Sequence, residues 1–476
     1  MDKEKIKPID LAKKVYSSML AYGKAVNEER AIPDFRDGLK PVQRKVLWAM
    51  YKLNLAGKSV KTARVVGDVL GKYHPHGDKA AQDAIETLVR LSLSPITGEG
   101  NWGSITGDGA AAMRYTLVKL SEYGASFFDP YYMPIMDMVP TYDAGDVEPV
   151  ILLPMLPNLL LNGTSGIGVG ATSDIPAYTR KSVAEVLIYA IQNGGATPQS
   201  CLNLVFTDPA GGLVSRKAQK KELLAFYKHG HAAIRFRSRL EYDDKKKAFV
   251  LTGVAPFKGS GDYMNRIFAV PDKFAELTAA DDQSGKWNLD VRFPMKRGRD
   301  VETIGKKLSA YLSSLKHYKV NVTKRELTRT KEGWPVVDVK FQRSTVPDII
   351  NAWLIWRRDL EIRATEWQKA KLEGEIRKTE VLILAVQFRD FIMSLIRDQK
   401  ASDVDLKKRL KAKLKLVDNE VDMVWGLRWP QLRALEGTAL QKTLKQQHAQ
   451  RKEYEQRIDK PESWIIESIK KHGGIQ

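Results

Sequence analysis

The chain has 476 residues, and this length with 43% hydrophobic residues suffices for about three domains with packed cores. Lysine and arginine number 77 against 57 aspartates and glutamates, a formal net charge of +20. This charge favours a polyanionic partner, nucleic acid before membrane, with a merely soluble basic protein as the alternative. The single cysteine, Cys201, excludes an intramolecular disulfide and a zinc site built from several cysteines, and it fits a reducing compartment.

The N-terminal segment is charged and lacks the apolar core of a signal peptide. The longest apolar run, Val150 to Leu161, is interrupted by two prolines and an asparagine, which makes it too short to cross a bilayer. We therefore expect a cytoplasmic protein that makes no membrane contact.

Four helices are predicted in the first 91 residues. Apolar residues recur at helical spacing from about 8 to 30, and a proline in the first turn indicates a second helix over 41–54. Two further helical runs, Thr62 to Leu70 and Asp78 to Leu91, flank the tight segment Gly71 to Gly77. Two short helices around a turn in a basic protein indicate a helix-turn-helix motif.

The middle of the chain has a different amino-acid composition. From about 94 to 175, glycine, proline and aspartate are frequent, which predicts a mixed α/β region whose loops carry function. Alternating apolar and polar residues at 233–238 and 335–341 predict half-buried strands, with helical segments between them over 200–345.

Two glycine patterns resemble nucleotide-binding loops. The first has glycines at 98, 100 and 103, but no clear strand precedes it and no helix is predicted to open at it. The second, Gly166 to Gly170, lacks the lysine of a P-loop. We expect no ATP site in this chain.

From Val346 to about Lys471 the chain is predicted to be almost entirely helical. Apolar residues at heptad spacing among charged residues indicate a long coiled-coil arm. The heptad positions are Trp353, Leu360 and Trp367. An apolar stretch, Val381 to Ile396, follows, and beyond a break at Pro430 a helix over about 431–458 would return antiparallel. Such an arm presents a dimer contact more often than it forms a solvated strut.

One arginine–tyrosine pair, Arg114-Tyr115, can carry out chemistry on nucleic acid. A tyrosine phenol can attack a phosphodiester and hold the cut strand, while a neighbouring arginine neutralises the charge that develops on the phosphate. Among 17 tyrosines and 77 basic residues such a pair also arises by chance, so its meaning depends on its surroundings. The segments that accompany it are RAIPDFRDGLKPVQR (30–44), ARVVGDVLGKYHPHGD (63–78), GEGNWGSITGDGAAAMRY (98–115) and PNLLLNGTSGIGVG (157–170).

In this order the four segments closely resemble the A subunit of the type IIA DNA topoisomerases, the cleavage and rejoining subunit of gyrase and topoisomerase IV. The resemblance implies a helix-rich α/β multidomain fold. Its expected parts are an N-terminal helical arm (1–29), a winged-helix breakage-reunion domain with the tyrosine (30–180), an α/β tower domain (181–345) and a coiled-coil arm with a dimer gate (346–476). It also implies a homodimer on double-stranded DNA, joined into a heterotetramer by a B-type subunit with the ATPase and the Toprim carboxylates.

The resemblance assigns a role to each matching residue. Tyr115 would be the nucleophile, and Arg114 would lie beside the scissile phosphate. His76 and His74 would hydrogen-bond the phosphate or the leaving oxygen; the alternative is a metal-binding pair, for which the sequence supplies no acidic or thiol ligand beside them. The residues expected on DNA phosphates, or alternatively on solvated surface, are Arg30, Lys40, Arg44 and Lys45. The family commonly has histidine at Gln43, so no charge-assisted contact is assumed there.

Ile167 lies in the glycine-rich loop 163–170, and the resemblance implies that it wedges between base pairs. An apolar wedge unstacks a base step and kinks the duplex, at a cost of a few kcal/mol, so that the bent DNA touches more protein. From the residues alone, the alternative is a core isoleucine in a turn.

The chain departs from the family at two points. Quinolones are anchored in the family through a serine and an acidic residue, and the matching positions here are Lys79 and Asp83, so we expect a weakened quinolone response. The sequence ends soon after the arm, and nothing in it resembles the β-pinwheel with which gyrase wraps DNA. We therefore expect relaxation and decatenation rather than negative supercoiling. This short form resembles some bacteriophage cleavage subunits, which implies a place in the bacterial nucleoid or the host cytoplasm.

The expected reaction uses two copies of the chain. Each Tyr115 would attack one strand and leave staggered cuts with 5′-phosphotyrosine links. Mg²⁺ held mainly by the partner subunit would stabilise the attacking and leaving oxygens, and ATP in that subunit would drive strand passage. Two alternatives are a non-enzymatic architectural protein that bends DNA, and a site-specific tyrosine recombinase with its own arginines around the tyrosine.

Overall fold

A computed structural model describes residues 10–104, 108–207, 211–256, 260–284, 289–331, 333–398, 401–427 and 437–475. This part of the chain divides into two compact units, 10–356 with 466–475, and 357–465. The break predicted at Pro430 lies outside the described residues, as does the charged segment before residue 10.

The helices of the first unit before residue 312 are α1 (Leu11–Val26), α2 (Pro41–Lys52), α3 (Thr62–Lys72), α4 (Asp78–Val89), α5 (Glu122–Ala125), α6 (Asn158–Asn162), α7 (Arg180–Gln192), α8 (Lys220–His229), α9 (Ser260–Phe268), α10 (Val270–Lys273) and α11 (Val301–Tyr311). A π-helical turn, Asn27–Ala31, follows α1. The four predicted N-terminal helices are confirmed in their described residues. Sequence chemistry explains their starts, since Asp10 caps α1 and Pro41 occupies the first position of α2.

The strands are β1 (Val60–Lys61), β2 (Ile96–Glu99), β3 (Leu117–Leu120), β4 (Met138–Pro140), β5 (Val147–Pro149), β6 (Thr164–Ile167), β7 (Thr172–Ile175), β8 (Ala177–Tyr178), β9 (Phe206–Thr207), β10 (His231–Phe236), β11 (Arg239–Asp243), β12 (Ala248–Gly253), β13 (Asp281–Asp282), β14 (Val291–Pro294), β15 (Ser314–Lys319), β16 (Asn321–Arg329) and β17 (Pro335–Arg343). Both alternating segments predicted as strands form strands, β10 and β17. The expectation that no strand precedes the first glycine pattern is wrong, because Gly98 lies in β2.

The strands form several small antiparallel sheets. The order β1-β3-β2 makes a three-stranded sheet beside α2, α3 and α4, and β10-β15-β7-β6 makes a four-stranded sheet. A second four-stranded sheet has the order β11-β12-β14-β13, and β16 pairs with β17 in a long hairpin. The apolar faces of α2–α4 meet over the first sheet. Their buried residues include Val46, Leu47, Val65, Val69, Ile85 and Leu88.

The remaining helices are α12 (Val346–Gln387), α13 (Arg389–Arg397), α14 (Asp403–Leu414), α15 (Asp418–Trp425), α16 (Gly437–Asp459) and α17 (Pro461–Gly473). Within the second unit, α16 runs antiparallel to α12: Arg457 pairs with Glu361 near one end, and Gly437 lies beside Val386 near the other. The predicted returning helix is thus confirmed over its described residues. At the far end of α12, helices α13–α15 form a compact apolar cluster, which we call the tip cluster.

Candidate functional site

Tyr115 lies in the segment between β2 and β3, and its side chain is exposed, with 63% of the residue accessible. Two backbone hydrogen bonds tie this segment to the start of α3. The Thr62 N–H donates to the Thr116 carbonyl at 3.0 Å, and the Ala63 N–H donates to the Met113 carbonyl at 3.2 Å. The hydroxyls of Thr62 and Thr116 are also 2.7 Å apart and buried. The backbone under Tyr115 is therefore fixed while its phenol faces solvent.

Arg114 accompanies the phenol. Its guanidinium carbon lies 4.7 Å from the centre of the Tyr115 ring, a cation–π contact between two exposed side chains. This contact keeps a positive charge over the face of the tyrosine ring. A phosphate that became attached to the tyrosine oxygen would therefore meet a cation already in place.

The first glycine pattern supports this segment from below. The Ala111 N–H donates to the Asn101 carbonyl at 2.9 Å, and the buried Trp102 indole donates to the Glu99 carbonyl at 3.1 Å. Gly100 has a φ of +98°, which a residue with a Cβ rarely adopts. The glycines here shape a support for the tyrosine, which the sequence alone did not reveal.

The two histidines follow the C-terminal end of α3, with ring centres 4.4 Å apart. Burial, with a smaller contribution from the neighbouring His76, Lys45 and Arg30, lowers the pKa of His74 to about 4. His74 is therefore neutral near pH 7, whereas His76 is exposed to solvent. The structure thus brings four of the predicted residues, two histidines and two cations, into one electrostatic cluster.

This histidine cluster and Tyr115 lie at opposite ends of α3. The Tyr115 segment is bound to the first residues of the helix, whereas His74 follows its last turn. Eleven residues of α-helix span about 16 Å at 1.5 Å per residue. Within one chain, the histidines and the tyrosine therefore do not form a single hydrogen-bonded group.

Lys45 and Lys40 occupy different surroundings. The Lys45 ammonium donates to the Tyr73 carbonyl at 2.5 Å and lies 3.3 Å from a Glu148 carboxylate oxygen. The Lys40 ammonium donates to the Ser165 carbonyl at 2.7 Å, and burial lowers the pKa of Lys40. Lys40 therefore supports the glycine-rich loop through the Ser165 carbonyl.

The position of Arg44 requires a correction. Its side chain is 5% exposed and pairs with the fully buried Asp37, with 2.6 Å between Arg44 Nε and Asp37 Oδ2 and 2.9 Å for the second contact. The same carboxylate accepts the backbone N–H groups of Leu39 and Leu152. Both charges are satisfied internally, so we assign Arg44 to the scaffold under the site instead of to the phosphate contacts predicted from the sequence.

A second buried ion pair stands beside it. Asp34 accepts two hydrogen bonds from the Arg36 guanidinium, at 2.9 and 2.8 Å, and one from the Arg325 N–H at 2.7 Å. Burial alone would raise the pKa of Asp34, but the hydrogen bonds and the charge of Arg36 hold it below its ordinary value. Sequence reasoning missed both aspartates. The pattern that could have indicated them is two aspartates close to arginines in a segment that is otherwise apolar.

Gln43 also has a structural role, because its amide oxygen accepts the Lys40 N–H at the start of α2.

Ile167 ends strand β6 and is 84% exposed, which excludes the alternative of a core isoleucine. It pairs with Thr172, the first residue of β7, and the loop closes through a hydrogen bond from the Gly168 N–H to the Ala171 carbonyl at 2.8 Å. An apolar side chain at this position of a hairpin has water as its surroundings. It is therefore available for insertion into another molecule.

The two predicted drug-contact positions lie one turn apart on α4. The Lys79 ammonium is 2.6 Å from an Asp83 carboxylate oxygen, and both side chains are exposed. The acidic group through which the family would anchor a quinolone is thus paired with the lysine that replaces the serine.

Metal-binding and membrane-spanning features are both absent from the described residues. These residues contain no group of three or more histidine, cysteine, aspartate or glutamate side chains arranged to hold a metal ion. None of their helices is both long and apolar enough to cross a membrane.

Comparison with known proteins adds an independent observation. A model of the family described as the A subunit of DNA gyrase/topoisomerase IV matches residues 30–471. The DNA gyrase A subunit of Aeromonas salmonicida is 32% identical over 86% of this chain and 44% of the relative. The DNA gyrase A subunit of Aminobacterium colombiense is 30% identical over 98% and 56%, and the DNA topoisomerase 4 A subunit of Rickettsia felis is 30% identical over 92% and 59%. The chain therefore spans about half the length of these relatives.

Proposed function

The chain belongs to the family of DNA gyrase and topoisomerase IV A subunits, and from this premise we propose that it is the DNA cleavage and religation subunit of a type IIA topoisomerase. The observation that carries the proposal is the exposed Tyr115 phenol with the Arg114 guanidinium over its ring, on a backbone fixed to α3. The net charge of +20 supports a DNA substrate.

In the proposed reaction the Tyr115 oxygen attacks a backbone phosphorus of the duplex. The phenol gives up its proton, a new oxygen–phosphorus bond forms, and the bond to the 3′ oxygen breaks. That oxygen takes a proton and leaves as a 3′ hydroxyl, while the other strand end stays attached as a 5′-phosphotyrosine. Arg114 stabilises the negative charge that develops on the phosphate. Because the phosphotyrosine keeps the bond energy, the reverse attack rejoins the strand without ATP.

The other predicted residues act on the DNA around this bond. Arg30 and Lys45 bind phosphates, and His74 and His76 hydrogen-bond a phosphate other than the one that the same chain's Tyr115 attacks. The attachment of the histidines and Tyr115 to opposite ends of α3, a helix about 16 Å long, supports this.

The same proposal assigns the parts of the fold. Helices α2–α4 with the β1-β3-β2 sheet would be a winged-helix domain, because two helices around a turn beside a small antiparallel sheet is that arrangement. The sheets between 200 and 345 would form the tower domain. The antiparallel pair α12 and α16 would be the coiled-coil arm, and its tip cluster would be the dimer gate.

The proposed enzyme is a homodimer completed by a B-type subunit. The described residues offer no donor cluster that fits a metal ion. In keeping with the family, we assign the Mg²⁺ carboxylates and the ATP site to the partner subunit. Cleavage of one duplex would then let another pass.

The test is the covalent adduct. The chain is mixed with its B-type subunit, Mg²⁺ and supercoiled DNA, then denatured, and protein-linked DNA is measured. The native chain should give the adduct, and Tyr115→Phe should abolish it while DNA binding stays within about twofold, because only the nucleophilic oxygen is removed. Tyr189→Phe, at another exposed tyrosine, is the matched control and should cleave normally. An adduct that persists in Tyr115→Phe would refute the assignment of the nucleophile.

The second candidate is a DNA-bending protein without catalysis, and the exposed Ile167 favours it as much as it favours the enzyme. The same assay separates the two. If the native chain bends DNA but forms no adduct under conditions in which a known topoisomerase does, the architectural function replaces the enzymatic one.

A further inference from the structure

The hairpin that bears Ile167 is mounted on the turn that follows α1. Asn27, the first residue of the π-helical turn, holds the hairpin loop through both ends of its side-chain amide. Its Nδ2 donates to the Val169 carbonyl at 3.0 Å, and its Oδ1 accepts the Val169 N–H at 2.9 Å. One side chain thus pairs with both polar backbone groups of one loop residue, as a neighbouring strand would do.

Two glycines allow this approach. A Cβ on Gly168 would lie 1.9 Å from the Asn27 Oδ1, and a Cβ on Gly23 would lie 3.2 Å from a methyl of Val169. At these two positions the absence of a side chain lets the loop and the end of α1 lie in direct contact. A π-helical turn is uncommon, and here it closes with a hydrogen bond from the Ile32 N–H to the Asn27 carbonyl at 3.2 Å.

The strand before the loop is held in the same way. A Cβ on Gly166 would lie 2.2 Å from the Ala31 carbonyl oxygen, so β6 lies directly against the π-helical turn. The Lys40 ammonium binds the Ser165 carbonyl. Ile167 is thus fixed on both sides, by Lys40 before it and Asn27 after it, while its own side chain touches solvent.

We propose that Asn27 is a positioning residue for the Ile167 wedge: its amide clamps the Gly168–Gly170 loop and holds Ile167 at the angle at which it enters a DNA base step. This inference rests on the proposed function, since it presumes that Ile167 inserts into DNA. Unstacking a base step costs free energy, and a loop that yields would move the isoleucine instead of the bases. Because the hairpin end is exposed, side-chain clamps must supply the stiffness that packing gives to buried segments.

The experiment measures bending of a short duplex that carries a dye at each end, by energy transfer between the dyes, with the full-length chain. Asn27→Ala should lower the bent fraction about tenfold, because two hydrogen bonds to the loop are lost. The affinity with which the protein binds the unbent duplex should change less than about twofold. Asn193→Ala, which removes an exposed amide that bonds to Tyr189 in the adjoining helix, is the matched control and should bend DNA normally. The melting temperature checks that each variant is folded.

The double variant decides whether Asn27 acts through Ile167. Ile167→Ala should itself reduce bending, and adding Asn27→Ala should then cause no further loss, because the residue that Asn27 positions is gone. Losses that add in full would overturn the proposal and show a separate structural role. Normal bending by Asn27→Ala beside weak bending by Ile167→Ala would also overturn it, while leaving the proposed wedge intact. If Ile167→Ala bends DNA normally, the wedge and the positioning role both fail.

A variant on the other side of the contact guards against misfolding at Asn27. Gly168→Ala places a methyl against the Asn27 Oδ1 and should reduce bending with α1 unaltered. In the Asn27→Ala background this clash is removed and only the closer approach to the Ala171 carbonyl oxygen, at 3.1 Å, remains, so Gly168→Ala should cause a much smaller additional loss there. An equal loss in both backgrounds would contradict the clamp.

Discussion

At the scale of the residue, surroundings decide roles that chemical type leaves open. Arg30 and Arg44 belong to one basic segment, yet Arg30 is exposed beside the histidines and Arg44 is buried on Asp37. His74 likewise differs from an ordinary histidine. Partial burial and the neighbouring Lys45 and Arg30 lower its pKa and keep it neutral near pH 7, so it can donate a hydrogen bond to a phosphate without adding charge.

The lowered pKa of His74 predicts a pH-dependent stability. Its folded pKa of about 4 lies below the unfolded value of 6.5, so the unfolded state binds the proton first and stability falls as the pH drops from about 6.5 towards 4. Because the side chain is partly exposed, solvent screening limits the effect to about 1 kcal/mol. Urea unfolding at pH 7 and pH 5 should show a smaller loss in His74→Gln than in the native chain. His317→Gln, at an exposed position, is the control. An equal loss in native and His74→Gln would contradict the assignment.

At the scale of the element, short polar segments fasten the helices that carry the site. The Asp37–Arg44 pair joins the start of α2 to the loop before it, and Asp37 also holds the chain at Leu152. Asp34 similarly joins this loop to β16 through the Arg325 N–H. These contacts are buried. Removing them should therefore lower the free energy of unfolding and leave the salt dependence of DNA binding unchanged.

Arg44→Met tests this division. Removing one partner of a buried pair leaves an uncompensated charge, so the free energy of unfolding should fall by about 3–5 kcal/mol. Arg30→Met should leave stability within about 0.5 kcal/mol and should reduce the salt dependence of DNA affinity by about one phosphate contact. Denaturant titration and binding at several salt concentrations measure the two effects. A stable Arg44→Met variant with a reduced salt slope would restore Arg44 to the DNA surface.

At the scale of the whole molecule, the exposed surface of the tip cluster is the candidate contact between two copies of the chain. Its interior is apolar, yet the cluster also exposes Ile396, Val404 and Val417, with 53%, 63% and 54% of each residue accessible. Large apolar side chains exposed on the segments that form one compact cluster favour a contact surface. This agrees with the proposed dimer gate.

Ile396→Asp and Val404→Asp test the gate. A carboxylate buried in an apolar contact loses its hydration, so each change should weaken self-association at least about tenfold. Sedimentation velocity over a range of concentrations measures the dimer. Ile355→Asp, at an isoleucine outside the tip cluster that is 73% exposed, should leave the dimer unchanged. A dimer unaffected by the tip variants would place the contact elsewhere.

Local patterns in the sequence were sufficient for the four N-terminal helices, for two of the strands and for the family. Helical spacing and Pro41 predicted α1–α4, alternation predicted β10 and β17, and four ordered motifs predicted the family that matches over 30–471. These features depend on neighbours along the chain, which the sequence displays directly. The exposure of the Tyr115 phenol agrees with its predicted use, and its role as nucleophile remains a prediction.

Only the tertiary structure decided which residues of a motif face solvent and which hold the scaffold. Asp37 shows this, because its carboxylate joins Arg44 to a backbone group 115 residues away along the chain. Asn27 meets Val169 across a separation of 142 residues, and no local pattern marks either one. Burial and partnership are properties of contacts between distant segments, so they became visible only once the chain was folded.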